Sequence, residues 1–153
     1  MRRRRVLAAL ALLPLSGALA FNVKPLDDYR RHHLFILAPA EDAAGHAFAK
    51  RIAQVLAERL PESRAQTVPV AEPARLAEFV VSRQFDVAVM RTAAAQAAGA
   101  DLRALYAADD HVLVCRSDFL DKDAARIAAA LGGPGTRATK IPFHPGVAPV
   151  SGK

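Results

Sequence analysis

The chain has 153 residues, 52% apolar and 24% charged, with 10 Pro, 8 Gly and no Trp, which is the make-up of one ordinary globular domain and excludes a disordered or collagenous chain. A single cysteine, Cys115, excludes an internal disulfide framework and a Cys-rich zinc site. The net charge of +6 is no nucleic-acid signature, because four of those charges are Arg2, Arg3, Arg4 and Arg5 at the head of an apolar run.

That run, residues 6–15 (VLAALALLPL), is too short to cross a hydrocarbon layer of about 30 Å and has the length of a signal-peptide core. Ala18-Leu19-Ala20 sets small residues where a signal peptidase reads them. Residues 1–20 are therefore expected to be a signal peptide cleaved after Ala20, and the protein to be periplasmic. Removal leaves 133 residues carrying +2, and no later stretch is apolar enough to span a membrane. The mature chain is thus expected to have no nucleic-acid partner and no membrane span.

Residues 21–33 (FNVKPLDDYRRHH) are polar and read as an N-terminal arm. Residues 34–38 (LFILA) form a short apolar run with no polar face, the pattern of a strand buried on both sides. Asp42 or Gly45 then opens an amphipathic helix in which Phe48, Ile52, Val55, Leu56 and Leu60 recur at spacings of three and four, and Pro61 ends it. Residues 66–70 (QTVPV) are the next strand candidate, placed at an edge or a strand end by Pro69, which has no amide proton. Pro73 suits the first turn of a helix containing Leu76, Phe79 and Val80, and residues 85–90 (FDVAVM) are a further buried strand.

An alanine-rich helix over 92–98 is stopped by Gly99, and residues 102–106 and 111–115 (HVLVC) supply one or two more strands. Asp118 or Asp121 caps a last helix running to Leu131, which Gly132-Gly133-Pro134 stops. This alternation predicts one α/β domain over residues 34–133, a three-layer sandwich with a mostly parallel sheet. Residues 134–153 read as a Pro/Gly-rich C-terminal tail.

Little in the chain carries chemistry. No Ser stands in a Gly-x-Ser-x-Gly turn, and Cys115 at the end of an apolar strand reads as a small buried hydrophobe. His32 and His33 are adjacent with no third ligand at metal spacing, Gly132-Gly133-Pro134-Gly135 follows a helix instead of joining a strand to one, and Asp109-Asp110 reads as a turn. No catalytic function, cofactor or metal is expected. In a parallel sheet the loops at residues 39–46, 71–75 and 90–92 converge on the carboxyl ends of the strands, where ligands bind. The candidate ligand-binding residues are Glu41, His46, Arg75, Arg91 and Thr92: the arginines as anion partners, Glu41 or His46 as orienting groups. The alternative for Arg75 and Arg91 is that they are solvated caps.

Read in order, residues 45–60, Val68 to Val70 and Leu76 through Met90 resemble the first lobe of type 2 periplasmic solute-binding proteins, above all the TAXI-type receptors of TRAP transporters. Gln84-Phe85-Asp86-Val87-Ala88 with the small-residue helix over 92–98, and Ile141-Pro142-Phe143-His144-Pro145-Gly146 near the end, are similar to segments of that family. The resemblance covers residues 34–146 and implies a single-lobe, shortened form, since residues 111–115 pass to the last helix with no room for a second lobe. It implies a non-catalytic periplasmic module that binds a small anionic solute, such as a carboxylate, through one lobe. The alternative is an accessory subunit that has lost ligand binding and docks on a periplasmic or membrane transporter protein.

Overall fold

A computed structural model of the chain describes residues 31–99, 101–135 and 141–147. The expected signal peptide with its cleavage point after Ala20, most of the N-terminal arm and the last residues of the tail lie outside the described residues.

Five strands, β1 (Phe35–Pro39), β2 (Gln66–Val70), β3 (Val87–Arg91), β4 (Leu102–Ala108) and β5 (His111–Arg116), form one sheet in the order β2-β1-β3-β5-β4. Among the described residues four α-helices accompany them: α1 (Ala43–Arg59), α2 (Arg75–Val81), α3 (Thr92–Ala98) and α4 (Asp121–Ala130). Each helix lies where the apolar spacing and the Pro and Gly punctuation put it. Asp42 caps α1 by accepting the Gly45 amide at 3.1 Å, and Phe48, Ala49, Ile52 and Leu56 form its buried stripe.

The chain is α/β, but the expectation of a mostly parallel sheet is corrected. β1 pairs in parallel with β2 and β3, whereas β5 runs antiparallel to both β3 and β4. The physical reason is the short link between β4 and β5, which consists of Asp109 and Asp110 alone. Two residues can reverse a strand but cannot carry a crossover, so β5 must return beside β4 as a hairpin. Asp109 supplies the required left-handed backbone at φ 52°.

Strand alternation divides the core between two faces. Ile36, Ala38, Val87, Val89, Leu113 and Cys115 meet α1 and α4, while Leu37, Ala88, Met90, Val112 and Val114 meet α2 and α3. The two margins of the sheet differ: the β4 margin is covered by later chain, and the β2 margin is an open edge interrupted by a proline. At the β4 margin, Gly135 pairs with Ala107 and Phe143 with Ala104, so parts of the expected tail lie on the sheet. Ile141, His144 and Val147 are buried there, and His144 Nδ1 accepts the Gly146 amide at 3.1 Å.

At the β2 margin, the bonds Gln66 N–H to Leu34 O and Ala40 N–H to Val70 O show that the even-numbered residues of β2 turn their amide groups toward β1. Pro69 therefore faces outward, where a missing amide proton costs nothing and blocks pairing. Arg116, at the end of β5, ties the far end of the sheet together by donating to the carbonyls of Val80 and Phe85 and to the carboxylates of Asp86 and Asp118.

Candidate functional site

The carboxyl ends of β1 and β3 and the start of β5 form one rim. The antiparallel register sets Arg91, the last residue of β3, directly opposite His111, the first of β5. β1 ends at Pro39, and the three residues that follow deliver Asp42 to the same place at the head of α1. Three distant stretches of chain thereby put an aspartate, a histidine and an arginine in contact.

Asp42 is the hub. One carboxylate oxygen, Oδ2, lies 2.8 Å from His111 Nε2 and accepts from Arg91 Nε at 3.1 Å, while Oδ1 accepts the Gly45 amide at 3.1 Å. The side chains of Asp42 and His111 are only 13% and 9% exposed, and the Phe48 ring stands 6.0 Å from the imidazole. Hydrogen bonds from His111 and then from the Gly45 amide, with the charges of His111 and Arg91 behind them, outweigh burial and hold the Asp42 carboxyl at about 2, below its ordinary 3.8. Gly45 leaves room for the pair, since a Cβ at that position would press to 3.0 Å on both Asp42 Oδ2 and His111 Nε2.

Arg91 extends from this buried pair toward solvent, its side chain 57% exposed, and its Nη1 donates to Asp110 Oδ2 at 3.2 Å. Asp110 is held by the hairpin turn, whose position is fixed by the Thr92 amide donating to the Asp110 carbonyl at 2.8 Å. Beside Arg91 lies a hollow of about 230 Å³ lined by Pro39, Pro73, Leu76, Met90 and Ala94 together with Glu41, Asp42 and Arg91. Its lining is an apolar surface edged by one cation and two carboxylates.

Of the residues singled out from the sequence, Glu41 and Arg91 line this hollow, and His46, Arg75 and Thr92 do not. Arg75 is exposed, pairs with Glu78 at 3.8 Å and lays its guanidinium 4.7 Å over the Phe79 ring. Thr92 opens α3 and acts through its backbone amide. His46 is half-buried on α1, with an Nδ1 that is shielded from water and unpartnered among the described residues. The residues missed were Asp42, Asp110 and His111. Asp42 was visible as a helix cap, but nothing in the spacing announced a bond to a histidine 69 positions away.

The lining holds no nucleophile paired with a base, and no cluster of three His, Cys, Asp or Glu able to hold a metal occurs among the described residues. A larger hollow, about 410 Å³, lies at the opposite end of the sheet, where Leu34, Leu60, Phe119 and Ile127 are bordered by Arg31, Arg64 and Arg126. No helix among the described residues is long and apolar enough to cross a membrane. Comparison with protein-family models, with curated proteins and with solved structures finds no match.

Proposed function

We propose that this chain is a periplasmic, non-catalytic binding module, a single-lobe relative of the TAXI-type receptors it resembles, which takes a small carboxylate-bearing solute at the strand-end hollow. The observation that carries this reading is the placement of Arg91. It stands on the rim with its Nε anchored to the largely buried Asp42 carboxylate and its Nη1 on the exposed Asp110 carboxylate, its side chain more than half exposed, beside Leu76, Met90 and Ala94. An arginine so anchored is pre-organised to meet a carboxylate, and the three apolar side chains take an apolar body. Arg91 is thus the anion partner and Glu41 the group that orients a donor on the solute. His46, Arg75 and Thr92 stand outside direct contact.

One open face encloses a ligand incompletely, and 230 Å³ is below the usual range for enclosed pockets. Affinity in the millimolar range follows. Isothermal titration with short monocarboxylates and dicarboxylates is expected to give heat that Arg91→Ala abolishes. No heat from any of them refutes solute binding.

A second reading, an accessory subunit that docks on a transporter or another envelope protein, is favoured by one observation. Arg91 already has two carboxylate partners, so its charge is matched without a ligand. Recovery of the tagged protein from periplasm with a stoichiometric protein partner supports this reading, and recovery as a lone monomer counts against it.

A further inference from the structure

We infer that Asp110 is an internal competitor for the solute carboxylate, so that ligand binding at Arg91 proceeds by exchange of one carboxylate for another; this rests on the reading of the hollow as a carboxylate site. The two partners of Arg91 differ in kind. Asp42 is bound from three sides by His111, the Gly45 amide and Arg91 itself, and only 13% of its side chain is exposed. It is a fixed support. Asp110 is 62% exposed and touches Arg91 through a single contact, Nη1 to Oδ2 at 3.2 Å.

An ion pair so exposed contributes little and yields readily to a competitor. A carboxylate that engages a guanidinium through two nitrogens needs the outer edge of the fork, and Asp110 occupies one of those nitrogens. The hairpin keeps the competitor in place. Asp109 adopts the left-handed turn conformation, and the Thr92 amide clasps the Asp110 carbonyl. Displacing the side chain thus leaves the backbone where it is and adds a free carboxylate to a rim that already carries Glu41 and Asp42. That excess of negative charge sets selectivity as well as strength. A monocarboxylate with a short apolar body fits, and a dicarboxylate brings a second negative charge among like charges.

The test is calorimetric titration of isocaproate, glutarate and the uncharged isocaproamide into the wild-type chain and into Asp110→Asn, which keeps the size and turn preference of the residue. Isocaproate is expected to bind Asp110→Asn about two- to five-fold more tightly than wild type, the range set by the worth of an exposed ion pair. Isocaproate is also expected to bind wild type more tightly than glutarate, and isocaproamide to be insensitive to the substitution. Equal or weaker isocaproate binding in Asp110→Asn, with wild-type binding intact, overturns the competition and leaves the carboxylate site standing. An equal gain for isocaproamide overturns it too, because a structural change would not distinguish charge. Absence of binding in both proteins overturns the inference together with the reading beneath it.

Discussion

Asp42 does two jobs with one carboxylate: it caps α1 and it receives His111 and Arg91 on the rim. Replacing it by alanine removes the cap and leaves a nearly buried histidine without its acceptor, so Asp42→Ala is expected to cost about 2–3 kcal/mol in urea unfolding at pH 7. The pH dependence has a definite sign. The folded carboxyl titrates at about 2 rather than 3.8, so its stabilisation is complete above about pH 4 and is lost as pH falls toward 2. The stability gap between wild type and Asp42→Ala should accordingly narrow when the same unfolding is measured at pH 3 and at pH 2. A gap that stays constant down to pH 2 would show that folding does not favour the ionised carboxyl, against both the His111 and the Gly45 hydrogen bonds to it.

Among the elements, β2 is the least protected strand, and of its two outward amide positions, Thr67 and Pro69, the second carries no proton. Pro69→Thr restores an outward N–H to an exposed edge and raises the local preference for extended structure. Light scattering at increasing concentration should then show self-association in this variant and not in wild type.

The strands and helices were legible because each is announced locally. The unbroken apolar runs over 34–38 and 87–90 cannot face water on either side, and Pro61, Gly99 and Gly132 mark where helices must stop. The direction of β5 was less visible. Alternating strand and helix points to a mostly parallel sheet, while the deciding signal is the two-residue link Asp109-Asp110, a turn that reverses the strand after it. The site was half legible for a related reason. Glu41 and Arg91 are adjacent to strand ends and follow from topology, whereas the Asp42–His111 bond depends on which strand returns beside β3 and so could not be read before the reversal was known.

For the molecule as a whole, the sheet separates two apolar layers, and Cys115 sits fully buried in the layer under α1 and α4. Burial pushes its thiol up to about 12. The native protein should therefore resist iodoacetamide at pH 8, reacting only when the sheet opens, so the labelling rate measured against urea reports the unfolding equilibrium. Rapid labelling without denaturant would mean that the layer opens locally.

The closure of the β4 margin has a temporal side. A chain made from its N-terminus onward completes all five strands and α4 before residues 141–147 emerge, yet Ala104 needs that stretch for its backbone: its amide donates to Pro142 O at 3.0 Å and its carbonyl accepts from His144 at 2.9 Å. During synthesis this flank of the sheet stays unsealed until residues 141–147 arrive. A chain ending prematurely at Lys140 would hold its strands but keep a sticky side for as long as it exists.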